Sequence, residues 1–429
     1  MLSQPKLIRT FSVEQIALAL LLVVGMYFPS SIDGEHSISA VAVAYAILVG
    51  LLGCLIYKKG INRSTLGLVS LPIVIVLVVG TFIEFIRGPV DIDWGLFVKF
   101  SALALLLTLN IRTSRPGPLV NCTFVAVNVM NIACGIAVLI GNEWVTEFIP
   151  NYYWMSDSTL VPLMMKLHKP VLTFGTHSLA GLFTYLYFWV NWENYRLRRI
   201  RGALLFALSY FFLLLALASF TSLSFAALAI GQMGAWLWKR SRTSFAVVGL
   251  CVIAIVPVSI YAFADEVSAI TELPQLAESA LLNSDHNGPL SRFGTDGTLR
   301  LAMTYLYEHP FSPIGLTRSA SAMEVESTTH FFVGDSGPLE YVLRGSVPLL
   351  FLIYFGLYRF LRHNLEQFSH WTTLFMVIMV FETGFSALDS SRTFFLLPFF
   401  LVYLNQTVTQ RSSQSPHGVA FPERQAFSV

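Results

Sequence analysis

The feature that most constrains this chain is a series of apolar runs, each long enough to cross the hydrocarbon core of a bilayer. A helix needs about 20 mainly apolar residues to do so. By this rule the sequence predicts about twelve membrane spans, at 12–28, 38–57, 66–86, 94–111, 118–141, 171–190, 202–219, 221–238, 243–263, 338–358, 371–388 and 392–406. Only 12% of the residues are charged, whereas soluble domains carry about 25%. We therefore expect an all-α polytopic membrane protein.

The distribution of basic residues predicts the orientation of these spans. Cytoplasmic loops of membrane proteins carry an excess of Lys and Arg. With the N-terminus placed inside, every second loop is basic, in the segments 58–63, 112–115, 196–201, 239–242 and 359–362. The short loops between them carry acidic residues instead. We therefore expect both chain ends on the inner side of the membrane.

One long polar stretch divides the chain. Residues 1–263 hold predicted spans 1 to 9, 264–337 form a large external loop, 338–406 hold spans 10 to 12, and 407–429 form a flexible inner tail. Two short helices are predicted within the loop, "PQLAESALL" and "GTLRLAMTYLYEH", because proline favours a helix start and aspartate can cap one. The second has an apolar face. We therefore expect the loop to fold back on the outer face of the membrane.

Arginine is scarce in the large loop, where Arg292, Arg300 and Arg318 are the only Lys or Arg residues. Arg300 lies at the start of the second predicted helix. Free N–H groups and the helix dipole favour an anion at such a position, and a guanidinium group matches phosphate oxygens. The stretch "SRFGTDGTLR" therefore predicts a diphosphate site formed by Arg300, with Arg292 assisting.

Ionisable residues within the predicted spans share a bias toward the outer side, namely Glu84, Lys99, His177, Arg344 and Glu382. Such groups are unfavourable in lipid and usually face a cavity or a partner. The bias predicts a polar cavity that opens outward. We expect a functional role for Arg344 and structural pairing for Glu84 and Glu382. We expect the long side chain of Lys99 to extend to the interface.

No motif for nucleotide or metal chemistry is present. The sequence has no phosphate-binding Gly-rich loop with Lys, no paired metal-binding carboxylates of the DxD type and no HExxH. The four cysteines lie within apolar runs without metal-ligand spacing. We therefore expect no metal, no cofactor and no nucleic acid partner. An enzyme that acts on the outer face would need a donor that is already activated and held in the membrane.

The order and spacing of three stretches match the pattern of a known family. They are "KPVLTFGTHSLAGLF", "DGTLRLAMTYLYEHPFSPIGL" and "DSGPLEYVLRGSVPLLFLIYF". Together they resemble the bacterial O-antigen polymerase and O-antigen ligase superfamily over residues 169–356, and the span layout extends the resemblance to the whole chain. The resemblance implies a multi-pass protein of the bacterial inner membrane with its active site facing the periplasm. It implies metal-independent transfer of a glycan from undecaprenyl diphosphate to an acceptor hydroxyl.

The resemblance also implies roles for individual residues. Arg300 and Arg344 would bind the diphosphate and stabilise its growing charge, so Arg300 is a catalytic candidate as well. Either His330 or Asp335 would activate or orient the acceptor hydroxyl.

The stretch that opens the resemblance supplies two further candidates. We expect Lys169 at the mouth of the diphosphate cavity and His177 in its wall. The small and polar residues around His177 permit close helix contact.

Four functions remain open at this point: a polymerase, a ligase, a transporter or flippase, and a structural subunit of an export complex. "PIGL" lacks the second glycine of the family pattern, and the choice between His330 and Asp335 leaves the general base open, which favours a polymerase over a ligase. A ligase would move the glycan to lipid A core or another acceptor. A secondary transporter or lipid flippase would show paired broken helices in matching halves, and the sequence shows no such pair. Further partners implied for a polymerase are a chain-length regulator and a flippase.

Overall fold

The computed structural model describes most of the apolar part of the chain. It covers residues 11–28, 37–88, 90–152, 165, 167–174, 177–197, 200–240, 298–309, 312–318, 336–382, 388 and 391–413. Within these ranges all regular secondary structure is helical, and no strand occurs. The all-α prediction is therefore confirmed for this part of the chain. The predicted span 243–263 and the predicted helix "PQLAESALL" lie outside the described residues.

The helices follow the apolar runs closely. Helices α1 to α13 are, in chain order, Val13–Tyr27, Ser37–Lys59, Arg63–Arg87, Trp94–Thr108, Pro118–Leu139, Glu143–Tyr152, His177–Arg196, Ala203–Leu217, Phe220–Arg240, Thr298–Glu308, Gly337–Asn364, Phe368–Glu382 and Ser391–Ser413. Among the described residues, α3, α5 and α11 are long and apolar enough to cross a membrane. Shorter apolar helices accompany them, including α1, α4, α8 and α12. The larger number of spans stays a prediction.

Local sequence explains where several helices begin. The Ser12 side chain accepts a hydrogen bond from the Gln15 N–H at 3.2 Å and so caps α1. Asp93 caps α4 by accepting from the N–H groups of Gly95 and Leu96. Both side chains satisfy backbone donors that have no partner inside the helix. Helices α5 and α11 carry a proline in their first turn, where its missing N–H is not needed.

Helix α7 is the most enclosed element, because every residue from Leu179 to Asn194 is buried. Helices α8, α9 and α13 pack around it. Its tyrosine and phenylalanine rings stack on neighbours, as Tyr187 does on Tyr210 at 5.2 Å between ring centroids. A helix that is apolar on all sides requires such surroundings.

The start of α7 differs from the predicted span 171–190. The helix begins at His177, and residues 171–174 form a turn in which Leu172 has a φ of 55°. Lys169 and Pro170 precede this turn. His177 is therefore the first residue of its helix rather than a residue one to two turns inside it.

Polar contacts close the bundle at two ends, named here after residues of α11. At the Asn364 end, the Asn364 side chain accepts from the Ile111 N–H at 2.7 Å and donates to the Leu109 carbonyl at 3.0 Å. Lys59 pairs with Glu14 at 2.9 Å at this end. These contacts join segments that the sequence assigned to one side of the membrane. The Arg344 end carries the candidate site.

Candidate functional site

The centre of the Arg344 end is a short segment of the large loop, residues 312–318, which we term the strap. Two strap N–H groups donate to carbonyls of α11, Ile314 to Leu343 at 3.1 Å and Gly315 to Arg344 at 3.0 Å. Helix α11 is interrupted directly after these two residues. Gly345 (φ −147°, ψ 20°) and Ser346 (φ 56°, ψ −163°) have no helical conformation. The strap therefore satisfies backbone acceptors that the break in α11 exposes.

The other side of the strap is bonded to α3 and to the residues before α4. The Leu316 N–H donates to the Thr81 hydroxyl at 2.8 Å. The Asp93 N–H donates to the Leu316 carbonyl, and the Arg318 N–H donates to the Asp91 carbonyl, both at 2.9 Å. The strap is thus held by hydrogen bonds on two sides. These bonds fix this part of the large loop between α3, α4 and α11.

Glycine is required where the strap meets α3. Gly315 has a φ of +57°, and a Cβ atom there would lie 2.1 Å from the Thr81 nitrogen. A Cβ on Gly80 would lie 3.0 Å from the Gly315 Cα. Only glycine adopts this backbone region without a steric penalty and leaves room for the neighbouring backbone. The glycine of "PIGL" therefore allows close packing of the strap on α3.

Arg344 joins α11 to the strap through its side chain. It is buried, its Nε lies 2.8 Å from Glu340 Oε1, and its Nη1 donates to the Gly315 carbonyl at 3.2 Å and to the Thr317 carbonyl. The buried charge is thus matched by a carboxylate one turn away. Such a pair is stable only when its hydrogen bonds are also satisfied, and the strap carbonyls contribute to that.

Two more charged residues surround this pair and form a buried ion cluster of Lys99, Glu340, Arg344 and Glu382. Lys99 is 8% exposed and interacts electrostatically with Glu340 and Glu382. The expectation that Lys99 extends to the interface is therefore wrong, because its side chain is buried inside the bundle. Glu382 accepts from the Tyr341 hydroxyl at 3.0 Å and from the Leu388 N–H at 2.7 Å, which confirms its structural pairing.

Helix α10 docks on the same end. Tyr305 and Leu306 pack against the buried side chains of Ile314 and Leu343, and the Tyr305 hydroxyl lies 3.5 Å from Glu84 Oε1. Burial raises the pKa of Tyr305, and the nearby carboxylate of Glu84 raises it further. The C-terminal half of α10 is therefore fixed to the bundle.

Glu84 and Arg87 link α10 and the strap to the end of α3. Arg87 Nη1 lies 2.9 Å from Glu84 Oε1, and its Nη2 donates to the Ser312 hydroxyl. The expectation that Glu84 pairs with another residue is confirmed.

Arg392 is a buried cation that the sequence analysis did not consider. It donates to the carbonyls of Gly25 and Met26, both at 2.8 Å, at the C-terminal end of α1. The Thr173 hydroxyl donates to the same Met26 carbonyl at 2.6 Å. A cation stabilises the unpaired carbonyls and the negative dipole at a helix end. Arg392 therefore ties the turn before His177 to α1 and α13. Its sequence signal is a polar "DSSR" stretch ahead of the last apolar run.

Four of the seven predicted site residues lie in the part of the chain that the structure describes. Arg344 lies in the buried ion cluster, and half-buried Lys169 lies just before the turn that precedes α7. Arg300 belongs to the first turn of the α10 backbone, and His177 is the first residue of α7. Arg292, His330 and Asp335 lie outside the described residues. The structure thus brings Arg344 and the helix of Arg300 to one end of the bundle.

An apolar crevice lies between α3 and α4, next to the strap. Its lining is formed by Val74, Leu77, Val78, Phe97, Phe100, Ser101 and Leu316. Leu316 belongs to the strap, so the crevice adjoins it.

The site has no metal-ligand geometry among the residues that the structure describes, where no group of three or more His, Cys, Asp or Glu side chains could hold an ion. Comparison with models of protein families, with curated proteins and with solved structures gives no match for this chain.

Proposed function

We propose that this chain polymerises lipid-linked polysaccharide repeat units on the outer face of a bacterial inner membrane. In this proposal it crosses the membrane about twelve times with runs of about 20 residues, and its Arg344 end faces the periplasm. The donor is a glycan on undecaprenyl diphosphate, and the acceptor is a sugar hydroxyl of another lipid-linked unit. No metal takes part.

The observation that carries the proposal is that α10 docks on the same end of the bundle as the buried ion cluster. Tyr305 and Leu306 hold the C-terminal half of this helix against the bundle, and Arg300 belongs to its first turn. A helix start that carries an arginine suits a diphosphate. Arg292 lies eight residues before Arg300 in the sequence and would assist.

The proposed reaction needs little beyond positioned charge and a proton acceptor. The acceptor oxygen forms a bond to the anomeric carbon, and the bond from that carbon to the diphosphate oxygen breaks. The diphosphate leaves with the electron pair, and fixed arginines stabilise it more in the transition state than in the ground state. The hydroxyl proton passes to His330 or Asp335.

Arg344 receives a positioning role in this proposal. To bind the diphosphate directly, it would have to give up its bonds to the carbonyls of Gly315 and Thr317. Lys169 and His177 are kept as mouth and wall residues of the donor cavity.

The direct test uses purified protein in liposomes with an undecaprenyl-diphosphate-linked repeat unit and a chelator. A ladder of oligomers that stay on undecaprenyl diphosphate is the expected result. Single transfer to lipid A core or another acceptor would identify a ligase instead. Absence of any glycosidic product with a series of donors would contradict both.

The interrupted helix α11 favours a second candidate, a secondary transporter or lipid flippase. Broken helices with ionisable groups beside the break are typical of transporter sites, and Lys99 and Glu340 lie beside this one. The test is ion-driven uptake or lipid translocation in proteoliposomes. Transport without glycan transfer would replace the first proposal.

A further inference from the structure

Helix α6 carries a ladder of three aromatic rings on its surface. Trp144, Phe148 and Tyr152 follow one another at intervals of four residues and are 70%, 44% and 44% exposed. The rings of Trp144 and Phe148 stack at 5.1 Å and 9°, and those of Phe148 and Tyr152 at 5.3 Å and 15°. Because the rings stack face to face, the ladder exposes mainly ring edges.

The ladder has a polar edge on one side and a buried edge on the other. Glu143, Glu147 and Asn151 are exposed and each precedes a ladder residue by one position. Ile149 and Pro150 are buried against the bundle. The exposed surface of α6 is therefore divided lengthwise into an aromatic strip and an acidic strip. This division is typical of a helix that lies in a membrane–water interface.

The neighbouring helix indicates what covers the aromatic strip. Ile136 of α5 is 52% exposed and Ile140, just after it, is 72% exposed. Helix α5 is long and apolar enough to cross a membrane, so its exposed apolar side chains contact lipid. Only Ile140, Gly141 and Asn142 separate the end of α5 from the start of α6, so α6 starts close to one end of a membrane-length helix.

The turn between the two helices is built to redirect the chain. Gly141 has a φ of +70°, and a Cβ atom there would lie 2.4 Å from the His168 ring. His168 Nδ1 also lies 3.3 Å from the carbonyl oxygen of Leu139. The end of α5 and the start of α6 are therefore held against the segment that leads to Lys169.

We infer that α6 lies in the membrane–water interface, with its aromatic ladder at the acyl boundary and its acidic strip in water. Aromatic side chains are enriched at that depth because an apolar body and a polar edge are both accommodated there. The partner is the bilayer itself and not a charged lipid in particular, since the adjacent strip is acidic. This inference does not depend on the proposed enzymatic function.

Spin labels test the inference position by position. Cys54, Cys122, Cys134 and Cys251 are first replaced by serine or alanine. Single cysteines are then placed at 144, 148 and 152 and, as matched controls, at 143, 147 and 151. Each labelled protein is reconstituted in phosphatidylcholine vesicles. Power saturation with oxygen and with a water-soluble nickel complex measures access from lipid and from water.

The expected result is a higher ratio of oxygen to nickel access at each ladder position than at the control one residue before it. Equal nickel access at all six positions would overturn the inference and leave the ladder open to a soluble partner. Protection from both agents, with spin–spin broadening at 148, would replace the bilayer with a second copy of the chain.

A second measurement avoids cysteine changes. Brominated phospholipids quench tryptophan fluorescence, and Trp144→Phe is expected to remove a lipid-quenched component from the otherwise unmodified protein. Unchanged quenching would contradict a position of Trp144 at the acyl boundary. An elution volume and a helical content equal to the parent protein establish that each variant is folded.

Discussion

Helix α11 is joined to neighbouring loops at both of its ends, and the two joints use different chemistry. At one end, the neutral amide of Asn364 connects α11 to residues 109–111 with bonds of 2.7 and 3.0 Å. At the other end, the charged Arg344 connects α11 to the strap and needs the buried carboxylate of Glu340 beside it. Moving charges out of water is unfavourable even when they are paired.

The difference indicates that packing alone does not require the buried ion cluster. An amide performs the same joining task at the Asn364 end without any charge. The Arg344 end has in addition an interrupted helix, a glycine with positive φ and the docked helix α10. Groups that lower stability tend to persist where function needs them, so the comparison favours the Arg344 end as the functional one.

The largest expected effect on stability comes from breaking the buried pair. Glu340→Gln leaves the buried cluster with two cations, Lys99 and Arg344, and only one carboxylate, Glu382, and we expect it to lower the free energy of unfolding by about 3–5 kcal/mol. Thermal or denaturant unfolding of the purified protein in detergent measures this change.

The matched control for that variant replaces both partners by apolar residues. Glu340→Leu with Arg344→Met is expected to lose less stability than either single change, because no lone charge stays behind. If Glu340→Gln were as stable as the parent, the charge of Arg344 would have another compensating partner and the comparison of the two ends would fail.

The next effect concerns activity rather than stability. Arg300→Ala is expected to lower the rate of oligomer formation by roughly a hundredfold, as removal of one fixed donor from a charged transition state does. Arg300→Lys keeps the charge but not the planar fork, and we expect partial activity. The readout is the initial rate of product formation in liposomes.

An arginine at the opposite end supplies the control. Arg359 donates to the Ser64 hydroxyl at 2.8 Å on the exposed surface, and Arg359→Ala is expected to keep the parent rate. Equal rates for the parent and Arg300→Ala would remove the proposed role of α10.

A smaller loss of stability is expected at the neutral joint. Asn364→Leu leaves the Ile111 N–H and the Leu109 carbonyl without their partner, which costs about 1–3 kcal/mol when such groups are buried. Asn151→Ala, on the exposed acidic strip of α6, changes the same residue type and is expected to stay within about 0.5 kcal/mol of the parent. A loss at Asn364 as large as that of Glu340→Gln would show that charge is not what separates the two joints.

The positions of the helices could be predicted from the sequence to a large extent. The runs 66–86, 118–141 and 338–358 all lie largely within α3, α5 and α11, because apolar length is a local property of the chain. The boundary predicted between the spans 202–219 and 221–238 is also close to the observed break, which falls between α8 and α9 at Ala218, with a φ of 46°.

The joints between helices could not be predicted, since they depend on contacts between distant residues. Arg87 and Ser312 are 225 positions apart, and no periodicity links the strap to α11. Lys99 shows the same limit. The carboxylates around it belong to α11 and α12, whereas the residues next to it in the sequence suggest only an interfacial lysine. The break in α11 has a local signal in "RGSVP". The same residues would equally be expected at the start of a membrane span.

The smallest effect is expected for an exposed ion pair at the Asn364 end. Arg112 Nε lies 3.4 Å from Glu366 Oε1, with side chains 52% and 32% exposed. Water and salt screen such a pair, so Arg112→Ala is expected to change the free energy of unfolding by about 0–1 kcal/mol, with a smaller difference at high salt. The same unfolding measurement at two salt concentrations checks this.

Arg112 and Arg344 carry the same charge and differ in burial. A similar loss of stability on replacing either arginine would therefore mean that burial does not determine the size of the effect. A small, salt-sensitive loss at Arg112 beside a large, salt-insensitive one at Glu340 would instead show that burial distinguishes the two ends.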